Sequence, residues 1–282
     1  MSAPAVFILG AGRVGTGLAR GLRAAGVDVV GLHGRRPVEG PDRITGGPVP
    51  EAIARAGVVL VTVRDAQLDD ALTTLAGAPL ASGAVVLHAS GSAEPAALEA
   101  LRKQGHPAGT FHPLLPFADP ARAAASLRGA WFGIDGDAPA RTAGHALATA
   151  LGARTLEIPP GEKVRYHAAA VFASNFPAVL MASGEQLLTG IGLTREDARQ
   201  ALLPLFLAAV ENVRARPSAE ALTGPIVRGD VETVRRHLAA LTADPELLSL
   251  YRALSRAAVT LAREAGADGA KLAEIEGLLE RG

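Results

Sequence analysis

The stretch that decides the fold runs from Val6 to Gly31, VFILGAGRVGTGLARGLRAAGVDVVG. An apolar run, Val6 to Leu9, breaks into Gly10-Ala11-Gly12-Arg13-Val14-Gly15, and a helical pattern follows at once through Leu18, Leu22 and Ala25 to Gly26. Strand, tight turn and helix start lie in one piece, and a second strand, Val27 to Leu32, comes next. Each glycine has a task in that reading. Gly10 allows the sharp turn, Gly12 lets the backbone approach a pyrophosphate, and Gly15 lets the helix pack close to the sheet. The free N–H groups and positive dipole end of the helix then face the phosphates, which makes Gly10 to Gly15, Ala11, Arg13 and Val14 included, the expected cofactor cradle.

The second strand ends where NAD-binding chains usually carry an acidic residue beside the adenine ribose. Here the chain reads Gly31-Leu32-His33-Gly34-Arg35-Arg36. Two guanidiniums suit a 2′-phosphate through bidentate, charge-assisted bonds, so Arg35 and Arg36 point to NADP(H) over NAD.

Composition bounds the remainder. The chain has 282 residues, 49% of them hydrophobic, with 28 basic and 28 acidic side chains and no cysteine. That suffices for one large or two modest cores. No basic excess points to nucleic acid or an anionic membrane, and disulfides, thiolate nucleophiles and cysteine-bound metals are excluded. The apolar N-terminus lacks a basic lead and runs straight into the glycine turn, and the apolar stretches at 168–182 and 201–210 are interrupted or short. A cytoplasmic protein is expected, with no metal.

Residues 37–50 read as a surface loop and Glu51 to Ala56 as a short helix. Val58 to Val63 is a β-branched apolar run suited to a strand buried on both faces of a parallel sheet. At its carboxyl end, where open α/β sheets bind ligands, Val63 and Asp65 are expected to face the cofactor; Asp65 alternatively caps the helix that begins there. A strand from Ala84 to His88 leads into Ala89-Ser90-Gly91-Ser92-Ala93-Glu94-Pro95, and a strand from Ala108 to Phe111 ends in His112-Pro113. Two successive strands thus deliver imidazoles to one sheet edge, a polar site that titrates near neutrality. Trp131 to Asp135 and Thr155 to Ile158 read as strands around a helix, Pro139 to Leu151. Pro159-Pro160-Gly161 ends the alternation, dividing the chain into a nucleotide-binding domain, 1–158, and an all-helical domain, 159–282.

The first helix beyond, KVRYHAAAVFASN at 163–175, carries a polar strip on an apolar helix. At 100° per residue Lys163, His167 and Ser174 share a face, with Asn175 some 80° round from His167. Pro177 is expected to kink the helix just past Asn175. Thr194 with Asp197, Asp230, and Asp244-Pro245 read as helix starts, Arg228 as a group for a substrate carboxylate or a partner subunit, and the helix from Asp268 to Glu280 as peripheral.

This order of parts resembles the superfamily of β-hydroxyacid dehydrogenases, 6-phosphogluconate dehydrogenase, ketopantoate reductase, prephenate dehydrogenase and pyrroline-5-carboxylate reductase. Nearly the whole chain is similar to a bacterial family of Rossmann-like proteins whose helical C-terminal domain has unknown function. The residues that carry the likeness are GAGRVG at 10–15, HASG at 88–91, FHPL at 111–114, KVRYHAAAVFASN at 163–175 and ALTGPIVRGD at 221–230. The resemblance implies a doubly wound, mostly parallel sheet followed by a C-terminal domain of the 6-phosphogluconate dehydrogenase type. It further implies that the turn from Ser90 to Pro95, Ser92 included, binds substrate. It matches Lys163 to a catalytic lysine whose usual asparagine partner, a turn later, is replaced by His167. The His-Pro turn of prephenate dehydrogenases is similar to that at His112.

The resulting expectation is an NADP(H)-dependent oxidoreductase acting on a small carbonyl, hydroxy or imine substrate held between the domains. Lys163 or His167 moves the proton, with Asn175 the third catalytic residue, and His88, Ser90, Ser92, His112, Ser174 and Arg228 hold substrate. The alternatives are a non-catalytic NADP(H) sensor or a reductase of a second cofactor such as a deazaflavin. Apolar helical faces lead to a homodimer through the helical domain.

Overall fold

The computed structural model describes residues 3–117 and 123–281. The chain divides into two compact units, 1–175 and 176–282.

In the first unit seven strands form one sheet: β1 (Val6–Leu9), β2 (Val29–His33), β3 (Val58–Val61), β4 (Val85–His88), β5 (Ala108–Pro113), β6 (Trp131–Gly136) and β7 (Arg154–Glu157). Their spatial order is β2-β1-β3-β4-β5-β6-β7. The first five run parallel, β6 is antiparallel to β5, and β7 is parallel to β6. The expected doubly wound, mostly parallel sheet is therefore present, with its last two strands reversed. Around it lie α1 (Arg13–Ala24), α2 (Leu68–Ala76), α3 (Glu99–Lys103), α4 (Ala123–Leu127), α5 (Ala138–Ala150) and α6 (Lys163–Ser174).

The sheet separates two cores. On one side Ile8, Leu18, Leu22, Leu60, Phe111, Phe132 and Leu147 pack together, with the Phe111 and Phe132 rings stacked at 4.2 Å. On the other, Phe7, Val59, Val61, Leu72, Leu98 and Leu101 do so. Every residue of β1 and β3 is buried, as a central parallel strand covered on both faces requires. Glu51 to Arg55 forms a 3₁₀ turn.

After β7 every described element is a helix. The compact unit nevertheless extends one helix past the expected boundary at 158, because α6 packs its first turns onto the sheet's unit. The helix breaks at Asn175, two residues before Pro177, whose ring disfavours helical continuation in the turn before it.

The second unit holds α7 (Phe176–Gly190), α8 (Arg195–Ala215), α9 (Ser218–Ala221), α10 (Val231–Ala240), α11 (Pro245–Glu264) and α12 (Gly269–Glu280). The starts of α8, α10 and α11 are those read from the sequence. Thr194, Asp230 and Asp244 each accept from the backbone N–H three residues on. The last helix is not peripheral: Leu272, Ile275 and Leu279 are buried with Val234, Leu238 and Val259 in the unit's core. Among the described residues no helix is long and apolar enough to cross a membrane.

Candidate active site

The turn after β1 has the form its glycines predict. Gly10 has φ +116°, and a Cβ there would lie 2.6 Å from the Thr62 carbonyl carbon and 2.7 Å from the Val63 nitrogen. Thr62 donates its hydroxyl to the Gly10 carbonyl at 2.6 Å, pinning the turn to β3. A Cβ on Gly15 would run into that same carbonyl and the Thr62 hydroxyl. Gly12 differs: nothing lies within 4 Å of where its Cβ would be. The first turn of α1 has no side-chain cap, and Gly12, the residue before it, is exposed. This cradle, closed below by Gly10 and Gly15 and open above Gly12, fits the pyrophosphate of a dinucleotide.

Arg35 and Arg36 are exposed just past β2. Gly34, just before them, packs against Ala11 of the cradle, since a Cβ there would stand 2.8 Å from the Ala11 methyl. His33 is committed to structure, with Nδ1 2.9 Å from the Thr45 hydroxyl. Arg13 is exposed, and Ala11 and Val14 are half-buried.

A second group of polar side chains lies where β4 and β5 meet the start of α6. His88 ends β4 fully buried. One ring nitrogen reaches the Glu94 carbonyl at 3.3 Å and the other, Nδ1, is buried without a partner. Ser90 accepts from the Ser92 and Ala93 N–H groups at 3.3 and 3.0 Å, which folds the loop back on itself. Asp65 does not cap a helix; its carboxylate accepts from the Ser92 hydroxyl at 3.0 Å, tying the loop after β3 to the loop after β4. Glu94 accepts from the backbone N–H of Lys163 at 3.2 Å and so fixes the first residue of α6.

Lys163 is 0% exposed, and among the described residues its ammonium has no hydrogen-bond partner. Burial lowers its pKa to about 8, against the opposing pull of Glu94, Asp135 and Asp65. The ring centre of Tyr166 lies 5.8 Å from Nζ. The Tyr166 hydroxyl stands 2.8 Å from His112 Nδ1. His112 in turn lies edge-on to His167 at 5.8 Å, and the buried Nδ1 of His167 has no partner. Burial, then the Lys163 charge, lowers both His88 and His112 to about 4, so both are neutral at pH 7. Gly91 makes the assembly possible. A Cβ there would overlap His167 Nδ1 and stand 2.9 Å from His112 Nε2.

The structure therefore brings Lys163, His167, His88, His112, Ser90 and, through Asp65, Ser92 to one edge of the sheet. It does not bring Ser174 and Asn175 there. Both are exposed at the far end of α6, about 16–18 Å along its axis from Lys163. Arg228 is exposed in the second unit, in the turn before α10. Tyr166, Glu94 and Asp135 belong to the site and escaped the sequence reading. Of these only Tyr166 left a signal, three residues from Lys163 and hence on its face.

Residues 130–258 match the model of a domain of unknown function, DUF2520. No curated protein matches the chain. Among solved structures, a protein of Thermotoga maritima superposes with TM-score 0.72 at 23% identity, covering 93% of this chain and 99% of its own. A Bacteroides fragilis protein named as a candidate NADP oxidoreductase gives 0.70 at 23% identity, covering 91% and 98%. The pyrroline carboxylate reductase of Plasmodium falciparum, solved with NADP bound, gives 0.63 at 14% identity, covering 98% and 100%. These likenesses show the fold read from the sequence, a Rossmann-like sheet followed by helices, and the domain of unknown function takes in the last two strands as well as most of the helical segment.

Two glycines of the cradle separate stability from binding. Gly15→Val is expected to lower stability by about 1–3 kcal/mol or more, since backbone must give way. Gly12→Val leaves the thermal midpoint unchanged and abolishes NADPH binding, both read by a melt and a fluorescence titration. Equal melting losses in the two variants would refute the assignment of the cradle.

Proposed function

We propose that the protein is an NADP(H)-dependent oxidoreductase that reduces, or in reverse forms, a carbon–oxygen or carbon–nitrogen double bond in a small molecule. The observation that carries the reading is Lys163: a fully buried ammonium without a partner, among neutral histidines, on the same sheet edge as a dinucleotide cradle. A buried polar group left unpaired is costly, and where it persists a ligand atom is the natural partner. The bound nicotinamide supplies hydride. The chain's own task is to bind the substrate, orient it and deliver a proton to the heteroatom.

Lys163 suits the last role. A pKa of about 8 leaves the ammonium mostly charged at pH 7 yet ready to release its proton, the balance that general acids need. The neutral rings of His88 and His112 do not compete for that charge. Support also comes from the two structural neighbours named for NADP, one of them a pyrroline reductase, whose substrate class contains a cyclic imine. Arg35 and Arg36, exposed beside the cradle and in none of the ion pairs among the described residues, supply the 2′-phosphate preference.

The working assembly in this reading is a homodimer through the helical unit. Helix α8 is 21 residues long and buries only Ala198, leaving Leu205, Leu207, Val210 and Val213 more than half exposed. A second copy of the same surface, related by a two-fold axis, covers such a face self-complementarily.

Three outcomes test these statements. Lys163→Met is expected to cut NADPH oxidation in a screen of ketones, 2-oxo acids and cyclic imines by about 100-fold or more while leaving NADPH affinity unchanged. It should also stabilise the fold at pH 7 by about 3 kcal/mol, because the folded amine holds its proton less tightly than the unfolded one. That penalty is complete below pH 8 and fades as pH rises toward 10.5, so the gain should vanish in alkaline denaturation curves. Retained turnover in this variant removes Lys163 as the proton donor, and a wild type that turns over none of these compounds sinks the enzymatic reading. Replacing Arg35 and Arg36 by alanine should weaken NADPH binding about 10- to 100-fold and leave NADH binding as it was; an equal loss for both nucleotides is the contrary result. In size-exclusion chromatography with light scattering the chain should elute at twice its 28.7 kDa, and Leu205→Glu as a monomer; a wild-type monomer at micromolar concentration contradicts the assembly.

A further inference from the structure

Tyr166 sits beside His112 in a way the proton-transfer scheme does not use. Its hydroxyl lies 2.8 Å from His112 Nδ1, the rings meeting edge to face at 5.5 Å. The contact has two possible senses. If Nδ1 carried the hydrogen, the phenol would have to send its own hydrogen to the other acceptor within reach, the His112 carbonyl, at a long 3.4 Å. If the phenol donates, one short O–H···N bond satisfies both groups. A phenol is a much stronger donor than a neutral imidazole N–H, and the sp² nitrogen of imidazole is the stronger acceptor. Burial raises the Tyr166 pKa and lowers that of His112, so the phenol keeps its proton and the ring stays uncharged.

With Nδ1 as acceptor, the ring's one hydrogen is on Nε2. That atom is the part of His112 aimed at Gly91, where a glycine Cβ would stand only 2.9 Å away and where His167 Nδ1 also converges. We propose that Tyr166 is a positioning residue that holds neutral His112 in the Nε2–H form, so that the ring presents a hydrogen-bond donor beside Gly91 to the substrate oxygen or nitrogen that gains negative charge as hydride arrives. The inference rests on the reductase reading above and deepens it by assigning the electrophilic group. No proton leaves His112 in this scheme. The ring donates a hydrogen bond that strengthens as the C=O or C=N bond is reduced, while the proton that completes the alcohol or amine comes from Lys163. A neutral imidazole serves better here than an imidazolium, which would compete with Lys163 for the same charge. The substrate class that fits is one with a single reacting heteroatom able to accept from both Nε2–H and the ammonium.

The test separates the tautomer from the turnover. In protein labelled with ¹⁵N-histidine at pH 7, the His112 resonances, assigned by their loss in His112→Gln, should show a protonated Nε2 and an unprotonated Nδ1 in the wild type. Tyr166→Phe should shift them toward a mixture. In NADPH oxidation with 1-pyrroline as the imine, Tyr166→Phe should lower kcat about tenfold with KM nearly unchanged. His112→Gln, whose amide N–H falls near Nε2, should retain about tenfold more kcat than His112→Asn. The last comparison stands even if Tyr166→Phe fails to fold. A wild-type Nδ1–H tautomer, or equal activity in the Gln and Asn variants, overturns the proposal. Absence of 1-pyrroline turnover with Nε2–H in place counts against the reductase reading for that imine and leaves the tautomer assignment standing.

Discussion

The structure depends on the approach of one helix start to one turn. Helix α1 can begin over the end of β1 only because position 15 has no side chain to meet the Gly10 carbonyl, and that carbonyl is held in place by the Thr62 hydroxyl at 2.6 Å. The same contact fixes three things together. It sets the distance of α1 from the sheet, hence the packing of Leu18 and Leu22 against Ile8 and Leu60. It aims the free N–H groups of the helix at one place. It also ties the end of β1 to the end of β3, from which the loop bearing Asp65 departs.

That second group is assembled against the ordinary preferences of a core. His88 Nδ1, His167 Nδ1 and Lys163 Nζ are all buried without partners, and burial is the main cause that moves Lys163 to about 8 and His88 and His112 to about 4. One histidine so placed is a packing accident that solvent or a rotamer change relieves. An ammonium with them is different, because its charge suppresses protonation of the neighbouring rings while Glu94, Asp135 and Asp65 hold the ammonium itself charged. At neutral pH, then, Lys163 is mostly charged while His88 and His112 are neutral. The stability given up to keep that arrangement is what a site for chemistry, rather than a structural hydrogen-bond network, would show.

Much of this was legible in the chain because the responsible interactions are local. The Gly10-to-Gly15 turn, the strand runs and the caps at Thr194, Asp230 and Asp244 are each decided within a few residues, the turn and caps standing where read and the strands within two residues of it. The features that were not legible are long-range or axial. Nothing in WFGID at 131–135 encodes that β6 runs against β5; direction depends on how the connection crosses the sheet. Asp65 reads as a cap because caps are local, whereas its partner Ser92 is 27 residues away. Ser174 shares an azimuth with Lys163 and His167, but helical periodicity reports angle and not depth, and three turns of rise carry it out of the cluster. The apolar residues of α12 fill a core that only the other helices define.

Tyr166 shows the same limit from the opposite side. On a helix wheel it is an aromatic residue on the buried face, and burial is the full account of most such residues. Its function appears only when β5 extends through Pro113, two residues further than its apolar pattern implies, and thereby places His112 inside the strand, where its ring must leave the sheet on one face. That face is the one on which α6 begins. A tyrosine three residues into that helix then lies within hydrogen-bond reach of the imidazole, and the choice between the two histidine tautomers ceases to be free. The chemistry at this edge is accordingly set less by which residues are present than by which single hydrogen each neutral ring retains, a property fixed by packing between elements 54 residues apart in sequence.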